Sequence, residues 1–186
     1  MGNFPDKTQG GDLFSLMYRP DVLKMSREER QKLIDAMPKP VSKYTERFYV
    51  GYRWFDTKNV APMYAFGHGL SYVNFAYGEA KAVASKDAVK VTLTVKNEGG
   101  MPADEVVQLY VSRPEAKVEW PVKELKAFQR VTLAAGETKT VTLTGPVKDL
   151  RYWNEAGNAW DLEHGKLQVL VGSASDDILV KTDVTI

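Results

Sequence analysis

The C-terminal half of this chain alternates between apolar and polar residues with a period of two, which is the pattern of half-buried β-strands. In residues 178–186, positions 178, 180, 184 and 186 are apolar, whereas positions 181, 183 and 185 are polar. Turn-forming residues interrupt the alternation at Asn97–Gly100, Ala135–Gly136 and His164–Gly165. Similar alternation occurs in residues 89–95, 107–111, 138–144 and 166–171. The pattern predicts a mainly β fold, with roughly seven short strands in a two-sheet β-sandwich of immunoglobulin-like architecture.

Residues before about position 75 lack this alternation and predict an irregular, partly helical N-terminal extension. One helix is predicted at Ser26–Met37, because Ser26 can cap the backbone N–H of Glu29 while the Glu29 side chain reaches back to Ser26. Pro38 and Pro40 then prevent the helix from continuing. Its narrow apolar stripe consists of Met25, Leu33, Ile34 and Met37. So short a helix needs a surface to pack on, and a homo-oligomer formed through this extension is one way to supply that surface.

Composition and charge exclude several classes of function. The 186 residues carry a formal net charge of +1 without a basic stripe, which argues against a nucleic-acid partner. No run of 18 apolar residues is present, so no membrane-spanning segment is predicted. The absence of cysteine excludes disulfides and thiolate metal sites, and two isolated histidines make no metal site. Nucleophile-elbow, phosphate-loop and His-Glu-x-x-His motifs are also missing, and no cofactor is predicted.

Several longer motifs carry a family resemblance that covers most of the chain. They are Tyr49-Val-Gly-Tyr-Arg-Trp-Phe-Asp56, Phe66-Gly-His-Gly-Leu-Ser-Tyr72, Glu105-Val-Val-Gln-Leu-Tyr-Val111, Trp120-Pro-Val-Lys-Glu-Leu-Lys-Ala-Phe128, Val131-Thr-Leu-Ala-Ala-Gly-Glu-Thr138 and Leu170-Val-Gly-Ser-Ala-Ser175. The first two resemble the segment that ends the second catalytic domain of family 3 glycoside hydrolases, which include many β-glucosidases and β-xylosidases. The later motifs resemble the fibronectin type III-like domain that follows it.

The resemblance implies a division of the chain and a role for it. Residues 1–75 would be the tail of the family's second domain, with a helical insertion at about 10–43, and residues 76–186 the fibronectin type III-like β-sandwich. In the family, the nucleophilic Asp lies in an N-terminal barrel and the acid/base Glu lies upstream in the second domain. This chain resembles neither motif, so the resemblance predicts no catalytic residue here. It implies a periplasmic or secreted β-glucosidase-type parent, on whose catalytic domains this portion packs.

The aromatic-rich stretch before the sandwich supplies the candidates for that packing. They are Tyr49, Tyr52, Arg53, Trp54, Phe55, Phe66, His68 and Tyr72. Aromatic rings dominate core and interface energetics, although a surface that lines a sugar site is an alternative. Ion pairs of Glu46 and Asp56 with Arg47 or Arg53 are expected to anchor the stretch. The family usually has Gly at the position of Arg47.

A free-standing carbohydrate-binding or protein-interaction module is the alternative function. Its candidate residues are Trp120, Trp153 and Trp160, and the last two bracket the turn sequence Asn154–Asn158, which predicts a hairpin. Exposed, coplanar rings would favour binding of a polysaccharide, because sugars stack on such faces. Burial of the same rings would favour a stabilising role.

Overall fold

The computed structural model describes residues 20–36 and 44–186, in two compact units. The first unit is Met1–Thr45 and the second is Glu46–Ile186. The second unit therefore contains both the strand-rich region and the aromatic-rich stretch that precedes it. A domain boundary near residue 75, which the family resemblance implies, stays a prediction.

The first unit contains two short helices in its described part, α1 (Pro20–Leu23) and α2 (Arg27–Asp35). The predicted capping box is present, because the Ser26 N–H donates to Glu29 Oε2 at 2.8 Å and the Glu29 N–H donates to Ser26 Oγ at 3.2 Å. The helix predicted at Ser26–Met37 is thereby confirmed in type and start. It ends at Asp35 with Ala36 as its C-cap, and Met37 lies outside the described residues, as do positions 10–19 and 37–43 of the predicted insertion.

The second unit begins with one helix, α3 (Tyr52–Lys58), and is otherwise built from strands. A 3₁₀ turn also occurs at Val147–Leu150. The strands of this described unit are β1 (Phe75–Tyr77), β2 (Lys81–Ala84), β3 (Ala88–Asn97), β4 (Ala103–Ser112), β5 (Glu124–Leu133), β6 (Thr138–Pro146), β7 (Tyr152–Asn154), β8 (Ala159–Asp161), β9 (Lys166–Gly172) and β10 (Ile178–Thr185). The five long alternating segments of the sequence correspond to β3, β4, β6, β9 and β10.

The strands form two four-stranded antiparallel sheets and a separate hairpin. In the first sheet, β3 pairs with β1, β2 and β6. In the second sheet the order is β10-β9-β4-β5. Strands β7 and β8 pair only with each other within residues 44–186. Sequence patterning predicted roughly seven strands and the β7–β8 hairpin. The structure adds the short strand β1, because three residues are too few to show a period of two.

Alternate residues of both sheets point into one common core. On β3 these residues are Val91, Leu93 and Val95, and on β4 they include Leu109, each at most 2% exposed. Burying such side chains contributes about 1.5–3 kcal/mol each, which is why the period-two pattern determines which face of each strand turns inward. The predicted mainly β fold, with two sheets that share one core, is confirmed.

Candidate functional site

Residues 46–74, here called the aromatic segment, lie in the same compact unit as the two sheets. Helix α3 starts after Gly51, whose φ of +56° suits glycine, and is closed by Asn59 at φ +52°. Tyr52, on its first turn, accepts a hydrogen bond at its hydroxyl oxygen from the backbone N–H of Leu125, at 2.8 Å. The Tyr52 ring meets the buried ring of Tyr110 edge-on, with centroids 5.8 Å apart. Burial raises the pKa of Tyr52, so this contact is made by the neutral phenol.

Three ion pairs hold the first half of the aromatic segment to residues before and at the start of β5. They are Arg53–Glu124 at 2.9 Å, Asp56–Lys123 at 2.7 Å and Arg47–Glu119 at 2.5 Å. The first two are largely buried, whereas the third is exposed. The expectation that Asp56 would pair with an arginine of its own stretch was wrong. Arg53 pairs with Glu124, 71 residues further along the chain, and Arg47 pairs with Glu119, 72 residues further along. The distances are long because the segment packs along a strand edge rather than folding on itself.

Arg47 occupies a backbone conformation that favours glycine. Its φ is +54°, in the left-handed region, where a side chain costs free energy. This conformation gives a physical reason for the Gly that family 3 sequences usually have at the position. In this chain the Arg47 side chain instead reaches Glu119.

The second half of the aromatic segment is anchored at Phe66 and Gly67. The carbonyl oxygen of Phe66 accepts a hydrogen bond from the Ser175 N–H at 2.8 Å. Gly67 has a φ of +86°, and a Cβ at this position would lie 2.8 Å from the amide oxygen of Gln108. Gln108 is 3% exposed, and its amide oxygen accepts a hydrogen bond from the Tyr110 hydroxyl at 2.6 Å, which holds the side chain in place. Only glycine therefore permits this close approach to β4.

Around that anchor, residues 63–72 form what we call the exposed apolar loop. Leu70 is 95% exposed and Tyr72 is 98% exposed, and Met63, Tyr64 and Phe66 are also largely uncovered. Monomeric proteins rarely leave large apolar side chains clustered in water unless the patch is an interaction site. Sequence reasoning missed Met63 and Leu70, because it singled out rings and not the aliphatic residues between them.

The predicted packing residues therefore divide into two groups. Tyr49, Tyr52, Arg53, Trp54 and Phe55 are partly buried within the second unit. Phe66, His68 and Tyr72 are exposed, and the His68 ring lies 5.3 Å from that of Tyr64. In the first group, Tyr52 and Arg53 contact the second sheet at Tyr110, Leu125 and Glu124. The second group is open to solvent, and packing of either group on a further domain stays a prediction.

A separate cleft of about 760 Å³, here called the tryptophan cleft, brings together the three predicted tryptophans. The predicted hairpin is β7–β8, in which Trp153 and Trp160 are directly opposite each other. Their ring centroids are 5.7 Å apart and the ring planes make an angle of 76°. Trp120 lines the same cleft although it is distant in sequence from the hairpin. The volume is within the range of roughly 300–1,000 Å³ that is usual for small-molecule sites.

The three tryptophans differ in exposure. Trp153 is 47% exposed and Trp160 is 64% exposed, so both are available to a ligand. Trp120 is half-buried, with the Arg113 guanidinium 4.8 Å from its ring centroid and the Lys126 ammonium at 5.6 Å. The exposed pair meets the exposure part of the criterion for sugar binding but not the coplanarity part, because the rings are nearly perpendicular. It forms a corner instead of a flat platform.

Three carboxylates, Asp104, Glu105 and Asp177, line a second depression beside the exposed apolar loop. Tyr77 donates its hydroxyl proton to Glu105 Oε1 at 2.7 Å, and Ser173 donates to Asp177 at 2.5 Å. Burial raises the pKa of Glu105, and it raises the pKa of Tyr77 as well. Asp104 accepts hydrogen bonds from the Thr132 hydroxyl and from Arg130. All three carboxylates are therefore held by neighbouring hydroxyl groups of the fold.

Within residues 20–36 and 44–186, no three His, Asp or Glu side chains converge closely enough to hold a metal ion. No helix in the described part of the chain is both long and apolar enough to cross a bilayer.

Comparison with known proteins identifies the domain family that the strand-rich region matches. Residues 105–175 match the family described as "Fibronectin type III-like domain". The match covers the region from β4 to the turn after β9, which includes the second sheet's central strands and the tryptophan hairpin.

Relatives place that domain within larger enzymes. The chain is 42% identical over 147 residues to the thermostable β-glucosidase B of Acetivibrio thermocellus, a match that covers 77% of this chain and 20% of that protein. The crystal structure of DesR, a β-glucosidase from Streptomyces venezuelae in complex with D-glucose, superposes with a TM-score of 0.74 at 39% identity and covers 77% of this chain and 19% of that one. The structure of β-glucosidase 3B from Thermotoga neapolitana in complex with glucose superposes with a TM-score of 0.72 at 39% identity. That match covers 76% of this chain and 20% of that one.

The chain corresponds to the fibronectin type III-like, C-terminal portion of family 3 glycoside hydrolases. It spans about a fifth of the length of the curated relatives named above. The resemblance read from the sequence motifs is thereby confirmed.

Proposed function

We propose that this chain is a non-catalytic portion of a family 3 β-glycosidase of the β-glucosidase type, and that it stabilises the catalytic domains by packing on them. The observation that carries the proposal is the exposed apolar loop, residues 63–72. Its neighbour Ser175 and the close contact at Gly67 fix the loop to the second sheet, yet Leu70 and Tyr72 remain almost wholly in water. A rigidly presented apolar surface of this kind is suited to a partner that is always present.

The carboxylates of the described residues support a non-catalytic role. Hydrolysis of a glycosidic bond needs two carboxyl groups held about 5–10 Å apart across a sugar pocket. Asp104, Glu105 and Asp177 lie in one depression, but each accepts a hydrogen bond from a hydroxyl group of the fold. None of them lies in a motif that resembles the family's catalytic segments.

The partner is the remaining part of the parent enzyme. About four fifths of the Acetivibrio thermocellus β-glucosidase lies outside the part that matches this chain. In that protein the remaining sequence is available to cover the loop. Fully burying a Leu or an aromatic side chain contributes about 1.5–3 kcal/mol. Burial of Leu70 and Tyr72 alone would thus contribute several kcal/mol to the attachment of this portion.

A chimera tests the proposal, with this chain in place of the matched part of the Acetivibrio thermocellus β-glucosidase. Leu70→Asp together with Tyr72→Asp is expected to weaken the interface by about 4 kcal/mol, because two buried apolar contacts are lost and two charges are introduced. The measurement is the residual hydrolysis of an aryl β-glucoside after heating. We expect the double variant to lose activity at a temperature at least several degrees lower than the parent chimera.

The matched control is Val83→Asp, an exposed apolar residue on β2 outside the loop. It should leave the heat resistance of the chimera unchanged. In the isolated chain, Leu70→Asp and Tyr72→Asp should cost little stability, since both side chains are already exposed there. If the double variant and the Val83 control behave alike in the chimera, the loop is not the contact surface and the proposal fails.

The compartment and the assembly state belong to the same proposal. The family resemblance supports a periplasmic or secreted parent, and a chain without cysteine folds there without disulfide formation. In the absence of the catalytic domains, a homo-oligomer through the N-terminal extension would give the apolar stripe of α2 a surface to pack on.

One observation favours a second candidate function, that of a carbohydrate-binding or protein-interaction module. Trp120, Trp153 and Trp160, which were selected from the sequence for this role, line a single cleft. Their convergence is independent of the exposed apolar loop, so the two functions can coexist in one parent enzyme.

A further inference from the structure

The tryptophan cleft has one corner of open aromatic surface. Trp153 and Trp160 meet at 76° with centroids 5.7 Å apart. In such an edge-to-face pair, one ring covers part of one face of the other, and the remaining faces stay open. The exposed fractions of 47% and 64% agree with this geometry. A ligand can therefore stack on one ring while its edge rests against the other.

The polar part of the cleft offers both hydrogen-bond donors and acceptors, with little net charge. Lys126 pairs with Glu124 at 2.9 Å, and Arg47 pairs with Glu119 at 2.5 Å. All four of these residues line the cleft. Because these charges are paired, the cleft neither attracts nor strongly repels a charged ligand of either sign. Lys126 and Glu124 are largely buried and already hold each other, whereas Arg47 and Glu119 are 63% and 48% exposed. The exposed pair offers N–H groups and lone pairs that suit a neutral ligand with many hydroxyl groups.

We propose that the tryptophan cleft is a binding subsite for a short, neutral, β-linked gluco-oligosaccharide. Such a sugar combines an apolar C–H face, which stacks on an indole ring, with equatorial hydroxyls that reach the paired charges. The choice of a β-linked glucan rests on the proposed function of the parent as a β-glucosidase. The corner of Trp153 and Trp160 supplies the stacking surface, and Arg47 and Glu119 at the rim supply a donor and an acceptor.

A proline-rich peptide is the competing ligand for an aromatic groove, since such peptides dock between parallel aromatic ridges. Here the two exposed rings are perpendicular rather than parallel. A proline-rich backbone has no N–H donor at each proline. It can therefore satisfy fewer of the hydrogen-bonding groups in the ion-paired lining than a sugar can. The geometry favours the sugar.

The test is a calorimetric titration of the full chain with cellotetraose and laminaritetraose, alongside a proline-rich peptide. We expect saturable binding of at least one tetrasaccharide and no saturable binding of the peptide. Trp153→Ala and Trp160→Ala should each weaken the sugar binding roughly tenfold, because each removes one stacking face. Trp160→Phe, which keeps an aromatic face, should recover part of the affinity.

Tyr72→Ala is the matched control, since it removes an equally exposed ring outside the cleft, and it should bind the sugar like the unaltered chain. Three results would each overturn the proposal. They are the absence of saturable sugar binding, equal sugar binding by both tryptophan variants and the unaltered chain, and binding of the peptide alone. A failure of sugar binding can be distinguished from a failure of the proposed scaffold role. Sugar binding is measured on the chain by itself, and the scaffold role is measured in the chimera with Leu70 and Tyr72 altered.

Discussion

Lys123→Ala is expected to destabilise the isolated chain by about 2–3 kcal/mol. Lys123 Nζ lies 2.7 Å from Asp56 Oδ2, and the two side chains are only 11% and 19% exposed. Among the described residues, Asp56 Oδ2 has no hydrogen-bond partner besides this ion pair. Removing one member of a fully buried pair costs about 3–5 kcal/mol, because the other charge is left uncompensated, and partial exposure lowers the figure here. Urea unfolding of the variant and the unaltered chain measures the difference.

Two further variants make this prediction specific. Asp56→Asn combined with Lys123→Met removes both charges, and it should be more stable than Lys123→Ala alone, because no charge is left buried without a partner. Glu119→Gln breaks the exposed pair with Arg47 and should cost less than about 1 kcal/mol. If Lys123→Ala and Glu119→Gln lowered the free energy of unfolding equally, the Asp56–Lys123 pair would not be what fixes the aromatic segment.

The second large effect is expected at Gly172, where β9 ends and the chain turns back into β10. A Cβ at this position would lie 2.9 Å from the Asp177 carbonyl carbon and 3.0 Å from Ile178 Cα, so it would collide with backbone. Gly172 is paired with Gln108 on one side and Ile178 on the other, and neither strand can move freely. Gly172→Ala should therefore cost at least about 3 kcal/mol, as severe overpacking does. Denaturant unfolding measures the loss.

The same substitution should disturb the exposed apolar loop, because the turn that follows Gly172 supplies the Ser175 N–H that holds Phe66. Amide exchange at Ser175 should become faster in the variant. Gly100→Ala is the matched control, since a Cβ there would have no heavy atom within 4 Å and the stability should change little. A Gly172→Ala chain as stable as the control would contradict the packing at this turn.

Local patterns in the sequence were sufficient for much of the fold. The period-two alternation identified the long strands, because one face of each is buried in the common core. The capping box of α2 and the β7–β8 hairpin were also predictable, since each depends on residues less than ten positions apart. The family motif near the end of β9 has a physical reason in Gly172, where a larger residue would strike the returning strand.

Contacts over long sequence distances could not be predicted in the same way. Asp56 and Lys123 form an ion pair across the unit, and no periodicity or turn signal links them. Trp120 joins Trp153 and Trp160 in one cleft only because the loop before β5 lies beside the hairpin. Leu70 could be recognised as a surface residue only after the fold showed that no sheet covers it.

The most direct test of the central claim, that this chain supports a catalytic centre without containing one, is a single hydrolysis assay. The rate on an aryl β-glucoside is measured for the chain alone, for a family 3 β-glucosidase truncated by the portion that matches this chain, and for the two mixed. We expect no hydrolysis by the chain alone, and we expect the mixture to hydrolyse the glucoside faster than the truncated enzyme does. Hydrolysis by the chain alone, or a mixture no more active than the truncated enzyme, would contradict it.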